Sequence, residues 1–336
     1  MRPTILLVFE GDSACERAVL APLNPHIVQV PDFDHPDAQA ALPGADALIV
    51  TLQKITGPLL DRAPKCKIVS RLGVGYDTID VPAATQRGIW VTYVPDYGVD
   101  EVSAQAIALI MACMRGVVQH ANATRAGRWN GLNVAPVKRL RDSTTGILGF
   151  GRIGRETALK AKGLGMRVLA YDPVIPAGLI AETGCEPASF ERVLAESDYV
   201  SLHTPLMDST RHLMNAHSLR LMKPTAYLIN TARGGLVDEV ALVEALDAGV
   251  IKGAGLDVLQ QEPAGADHPL VRHTKVIVTP HFSFYSEEAV RDLHTRGAEE
   301  VVRILTGQPP RCPLNKIDGW IVRHDTLRTL TNDPPS

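Results

Sequence analysis

Arg233, Glu262 and His281 are the side chains of this sequence best suited to act together. Each follows a short apolar run: Arg233 comes after Leu228–Ile229, Glu262 after Gly255–Leu256, and His281 after Val276–Val278. Hydride transfer to the carbonyl of a 2-keto acid needs three groups in one place. A cation must hold the carboxylate, and a guanidinium does so with two parallel hydrogen bonds. An acid must protonate the developing alkoxide, and an imidazole does so near neutral pH. An anion must orient that ring and favour its protonated form. Taken singly, each residue has an ordinary reading as a solvated or packing side chain. His203, closing the run YVSLH, is a case where the backbone is expected to matter more than the ring. The full set of three has no such reading.

The hydride donor has its own signature. The run Thr144–Leu148 leads into Gly149-Phe150-Gly151-Arg152-Ile153-Gly154 and then into the helical pattern RETALKAKGLGM. Gly149 allows the tight turn, Gly151 lets a pyrophosphate approach the backbone, and Gly154 lets helix and strand pack closely. Phosphates would then meet unpaired N–H groups at the helix start, around Arg152 and Ile153. The next strand, RVLAYDP, ends in Asp172, about twenty residues beyond the glycines, where a carboxylate binds a ribose 2′-hydroxyl. That charge repels a 2′-phosphate, so NAD (as NADH) is favoured over NADP.

The elements that must position these groups alternate. The patterns predict strands over Ile5–Phe9, Ala47–Val50, Lys67–Ser70, Thr145–Phe150, Arg167–Tyr171, Tyr199–His203, Ala226–Ile229, Gly253–Leu256 and Lys275–Thr279, with helical patterns between most of them. Nearly continuous apolar strands mark a parallel sheet covered on both faces, hence an α/β doubly wound fold. Residues 100–119 read as one long apolar helix, and a domain boundary falls near its start. The glycine motif then lies mid-chain, so the first third forms a separate domain. A final helix is predicted over Glu287–Leu305, but periodicity does not reveal where it packs.

Composition narrows the class. A chain of 336 residues with 45% apolar and 21% charged residues is globular and long enough for two domains. A net charge of −3 and 5% aromatics offer no footprint for nucleic acid or an anionic membrane. The five cysteines are scattered, with no CxxC pair, so neither a disulfide framework nor a metal site is expected and a reducing, cytoplasmic setting is favoured. No apolar run is long enough to span a bilayer.

With these residues in order, the sequence resembles the D-isomer-specific 2-hydroxyacid dehydrogenases along nearly its whole length. The matching stretches are GFGRIG with Asp172, INTARGGLVDEVALVEAL, KGAGLDVLQQEP and VIVTPHFSFYSEEA. The resemblance implies that Arg233 binds the substrate carboxylate and carbonyl, that His281 gives or takes the proton, and that Glu262 partners His281. It implies a cofactor shell of Gly149, Gly151, Arg152, Ile153, Gly154, Asp172, Thr204, Pro205, Thr231, Ala232, Arg233, Asp257 and His281. It also implies a Rossmann-type sheet over 100–284, inserted into a smaller flavodoxin-like substrate domain formed by 1–99 with 285–336. The cleft would close on substrate, and a homodimer would form through the NAD-binding domain. Helix 100–119 is then either part of that interface or simply core.

Within the family, three features resemble the branch of the C-terminal binding proteins and their bacterial relatives: Arg71-Leu72-Gly73-Val74-Gly75, then VAPVKRL (134–140), then PHFSFYSEEA. By that likeness, backbone N–H groups at Val74 and Gly75 would meet the substrate carboxylate, and Phe284, where the branch often has Trp, would stand at the substrate site. Arg71 fits two roles, a second cation for the substrate or a structural ion pair. The branch keeps open an NAD(H)-sensing corepressor-like protein as an alternative, and the shared triad keeps open an unusual substrate such as phosphite.

Overall fold

The computed structural model describes residues 2–129 and 137–317, so Val134–Pro136 of the VAPVKRL motif lie outside the described residues. The chain forms two compact units. One runs from Met1 to Tyr97 and resumes at Ser286; the other is Gly98–Tyr285.

The first unit is built on five parallel strands: β1 (Thr4–Val8), β2 (His26–Val30), β3 (Ala47–Val50), β4 (Ile68–Arg71) and β5 (Trp90–Thr92), in the order β2-β1-β3-β4-β5. This is the flavodoxin-like order. The inner strands are apolar on both faces because both are covered. Leu6, Val8, Leu48 and Val50 pack into one core cluster. Ile5, Leu7, Ile49 and Ile68 pack into another, which also takes Leu293, Ala298, Val301 and Ile304 from the helix Glu287–Leu305. That helix therefore returns to the first sheet. Ser70 of β4 fixes it by donating to the Gly297 carbonyl at 2.8 Å.

The second unit carries seven parallel strands: β6 (Thr144–Leu148), β7 (Arg167–Tyr171), β8 (Glu186–Pro187), β9 (Tyr199–Leu202), β10 (Tyr227–Asn230), β11 (Gly253–Leu256) and β12 (Val276–Val278). Their order is β12-β11-β10-β9-β6-β7-β8, a Rossmann-type arrangement with the strand order reversing between β6 and β9. Three short strands had escaped the patterns. β2 sits at a sheet edge with His26 exposed, β5 spans three residues, and β8 spans two.

The helix expected over 100–119 needs correcting. A helix spans Val99–Arg115 and ends at Gly116, whose φ of 57° is left-handed. A second helix, Val117–Arg125, leaves at 58° to the first. The apolar pattern runs through the break because Val117 and Val118 continue it in sequence, although both are exposed. No single described helix is long and apolar enough to cross a membrane. The first helix lies against β10 and β11. Gly255 on β11 permits that approach, since a Cβ there would sit 3.1 Å from Leu109 Cβ.

The break has a testable sign. Within a continuous helix, Gly116→Ala would stabilise the fold. At a left-handed position it should destabilise it by about 1 kcal/mol. The urea-unfolding midpoint should therefore fall, and a rise would contradict the break.

Candidate active site

Parallel strands bring all their carboxyl ends to one edge of a sheet. Along this edge of the second unit stand, in spatial order, the turn after β12 with His281, the loop after β11 with Asp257 and Glu262, and the loop after β10 with Arg233. Next come residues 203–205 after β9, the glycine turn after β6, and Asp172 after β7. At about 4.8 Å per strand, the glycine turn lies roughly 10 Å from the strand leading to Arg233 and roughly 5 Å from the strand leading to Asp172. The reversal between β6 and β9 opens the crevice where ligands of such sheets bind.

The glycine turn fits a dinucleotide. Gly149 has φ +94°, and a Cβ there would lie 2.7 Å from the His203 carbonyl carbon; a Cβ on Gly154 would lie 2.0 Å from the Gly149 oxygen. Those two positions are closed by the protein itself. A Cβ on Gly151 would meet nothing within 4 Å, which is the space a pyrophosphate needs. Gly151 caps the helix Arg152–Gly163 without any side-chain cap, so the first-turn N–H groups of Arg152 and Ile153 remain available to an anion. The hydroxyls of Thr204 and Thr231, in the two loops beyond the reversal, are buried with no hydrogen-bond partner among the described residues. Pro205, beside Thr204, is exposed, and Ala232 donates its N–H to Asn230 Oδ1 at 3.0 Å. Asp172 accepts from Phe150 N–H at 2.7 Å and from Val174 and Ile175 N–H at 2.8 and 2.9 Å. Its carboxylate is thus tied to the glycine turn and is held in place before any ligand arrives.

The structure brings Glu262 and His281 into contact. His281 Nδ1 lies 2.6 Å from Glu262 Oε2, and Glu262 Oε1 accepts from Leu259 N–H at 2.8 Å. This leaves Nε2 as the ring nitrogen not engaged by Glu262. Burial works to raise the Glu262 carboxyl. The His281 hydrogen bond, the Leu259 N–H and the charges of His281 and Arg233 outweigh it and hold the carboxyl below the ordinary carboxylate range. Arg233 follows β10, where its Nη1 donates to the Ala232 carbonyl at 2.7 Å. The buried Asn230 ties this loop through its Nδ2, which donates to the Arg233 carbonyl at 2.9 Å. Gly234 lets the neighbouring loop cross closely, because a Cβ there would lie 2.0 Å from the Leu259 carbonyl carbon.

Asp257 has a task that motif reading missed. The resemblance implies only a cofactor contact for it. Its side chain is 1% exposed, and both oxygens serve the turn that carries His281. Oδ1 accepts from Thr279 Oγ1 and, at 3.1 Å, from Phe282 N–H. Oδ2 accepts from Ser283 N–H at 2.9 Å and from Ser283 Oγ. The Asp257 carbonyl accepts the His281 N–H at 2.8 Å. His281 itself is left-handed, with φ 52°, a conformation that residues bearing a Cβ rarely adopt and that packing and hydrogen bonds must maintain. An acid directly after a strand, five residues before a second acid, is the available signal. Phe284, next in the turn, is half-buried, with its ring set edge-on to Tyr285.

In the first unit, Arg71 closes β4 and is 5% exposed. Its Nε donates to the Gly75 carbonyl at 2.8 Å and its Nη1 to the Leu72 carbonyl. These bonds tie the guanidinium to the backbone of its own loop. The N–H groups of Val74 and Gly75 in this loop make no hydrogen bond to described residues.

His203 contributes through backbone and ring. Its N–H donates to the Leu148 carbonyl at 2.8 Å, and its Nε2 lies 2.9 Å from Ser201 Oγ. Burial pushes the imidazole from 6.5 down to about 3. Below about pH 6.5 the unfolded chain gains a proton that the folded chain refuses until about pH 3, so stability is lost progressively as pH falls across that window. His203→Gln should move the acid-unfolding midpoint, followed by circular dichroism, to lower pH. An unchanged midpoint would mean that the ring is hydrated.

The comparisons with known proteins agree with this geometry. Residues 107–283 match the model of the D-isomer specific 2-hydroxyacid dehydrogenase NAD binding domain. A glyoxylate reductase of Korarchaeum cryptofilum is 42% identical over 270 residues, covering 79% of this chain and 81% of that protein. A D-3-phosphoglycerate dehydrogenase of Mycobacterium leprae is 37% identical over 90% of this chain, which spans 58% of that longer protein. The crystal structure of D-lactate dehydrogenase from Aquifex aeolicus, complexed with NAD and lactic acid, matches with a TM-score of 0.82 and 28% identity, over 90% of this chain and 96% of that one. The chain belongs to the D-isomer specific 2-hydroxyacid dehydrogenase family of NAD-dependent oxidoreductases.

Proposed function

We propose that the protein reduces a small 2-keto acid with NADH, with glyoxylate the first substrate to test and His281 the proton donor. The observation that carries this reading is the 2.6 Å contact between Glu262 and His281 Nδ1, at the same sheet edge as Arg233 and the glycine turn. Glyoxylate is favoured because the glyoxylate reductase relative is more identical to this chain and is matched over most of its length.

NADH, when bound, supplies the hydride. The turn Gly149–Gly154 holds the pyrophosphate, and Asp172 receives the adenosine ribose. Thr204, Pro205, Thr231 and Ala232 line the stretch between the phosphates and the reacting end. Arg233 grips the substrate carboxylate and polarises the carbonyl. Glu262 stays ionised and fixes the ring through Nδ1, so Nε2 is the atom that delivers a proton to the carbonyl oxygen. The five free thiols suit a reducing cytoplasm. A second copy is the proposed partner of the stretch from Val117 to Trp129, in which Val117, Val118 and Trp129 are 55%, 37% and 91% exposed, because exposed large apolar side chains are common at association surfaces.

Two measurements test this reading. Oxidation of NADH and of NADPH should be followed with glyoxylate, hydroxypyruvate, pyruvate and phenylpyruvate, alongside phosphite with NAD. NADH should be preferred, and His281→Asn should lower kcat by about a hundred- to ten-thousand-fold while leaving NADH affinity within about threefold. Near-normal turnover in that variant removes His281 from the mechanism, and equal use of NADPH removes Asp172 from cofactor choice. In light scattering at micromolar concentration the native chain should be a dimer that Trp129→Glu weakens; a native monomer would refute the pairing.

A further inference from the structure

The turn that carries His281 is held from below by a chain of hydrogen bonds that begins on a different element. Gln105, in the helix Val99–Arg115, donates from Nε2 to Thr279 Oγ1 at 3.2 Å. Thr279 Oγ1 in turn donates to Asp257 Oδ1. The direction is forced. An ionised carboxylate only accepts, so the single hydroxyl proton of Thr279 must point to Asp257, and its lone pair must receive the Gln105 amide. On the far side Ser283 donates both N–H and O–H to Asp257 Oδ2. The His281 N–H is shared between the carbonyls of Asp257 and Thr279, at 2.8 and 3.0 Å. Both residues flanking the donor side of His281 are thereby locked, and the left-handed φ of 52° has no easy path to relax.

We propose that Thr279, anchored by Gln105, is a positioning residue for the proton-transferring imidazole. The proposal rests on the reading of His281 as proton donor. Thr279 does not touch the ring. Its hydroxyl fixes the Asp257 carboxylate, that carboxylate fixes the 282–283 backbone, and the turn between them presents Nδ1 to Glu262. The helix is a rigid anchor because Gly255 lets it seat closely on β11, the strand that leads directly into Asp257. Gln105 thus reaches across from a fixed element instead of a mobile loop. A proton donor displaced by about 1 Å can lose on the order of a hundredfold in rate. The hydroxyl of a residue outside the site therefore bears on kcat.

Thr279→Val keeps the shape and the backbone carbonyl while removing the hydroxyl, and Thr279→Ser keeps the hydroxyl. Thr279→Val should lower kcat, per NADH-binding site titrated, by about 10- to 100-fold, with KM for the keto acid and Kd for NADH within about threefold. Thr279→Ser should restore kcat to within about threefold of the native value. Gln105→Leu should lower kcat less, by about three- to tenfold, and should add nothing in the Thr279→Val background because the two act through one contact. The Gln105→Leu result stands by itself if Thr279→Val does not fold. Unchanged kcat in both variants overturns the proposal, as does Thr279→Ser being as impaired as Thr279→Val. His281→Asn measured alongside separates the two readings. If it retains turnover, both fall. If it is inactive while Thr279→Val and Gln105→Leu are normal, only the positioning role falls.

Discussion

Parallel strands hydrogen-bond only at a spacing of about 4.8 Å, and the rest of this site follows from that pitch. A loop leaving one strand end must meet its neighbours at that interval. In the second unit the order β12-β11-β10-β9-β6-β7 therefore lays His281, Glu262, Arg233, the glycine turn and Asp172 along one edge. No other order of the same strands would do this. Had β10 and β7 exchanged places, Arg233 would stand where Asp172 does, on the far side of the glycine turn from His281. The chemistry is read off in spatial order although the chain visits it as 149, 172, 233, 262 and 281.

Pitch alone leaves each loop free to wander, and buried polar groups remove that freedom. Asn230 ties the Arg233 loop, Leu259 N–H pins Glu262, and Asp257 gathers the turn around His281. A buried carboxylate with several donors is costly to leave unsatisfied. The same cost that makes Asp257 demanding makes the turn rigid. The electrostatics then need little adjustment: two positive neighbours and one N–H overcome the effect of burial on Glu262.

Much of this was legible in the sequence, for particular reasons. The glycine turn is visible because each glycine answers a different steric demand within six residues. Arg233, Glu262 and His281 are visible because polar groups close apolar strands. The packing of Glu287–Leu305 against the first sheet was not visible: an amphipathic helix states which face is apolar and never which sheet receives it. The bend at Gly116 was hidden because the apolar pattern continues past it. Edge strand β2 and the two- and three-residue strands carry too few inward positions to show a period. Arg71 reads as a charge, and only coordinates reveal that it donates to carbonyls of its own loop. Asp257 illustrates the general limit. Motifs report which residues recur together, whereas hydrogen-bond partners depend on φ and register.

The first unit is discontinuous in the chain, and this has a consequence for how the molecule comes into being. Leu293, Val301 and Ile304 close one face of a sheet whose strands were all complete by residue 92. Between Tyr97 and Ser286 the ribosome must add the whole of the other unit, which at about 5–20 residues per second takes on the order of ten to forty seconds. Throughout that interval Ile5, Leu7, Ile49 and Ile68 lack that last helix, although Leu20 of the helix Ala14–Leu20 shares their cluster. The contiguous unit, by contrast, holds all its strands within one stretch and can close before synthesis ends. The middle unit can thus close while the sheet at the leading end still waits for its last helix, and that uncovered strip is where a chaperone would find its purchase.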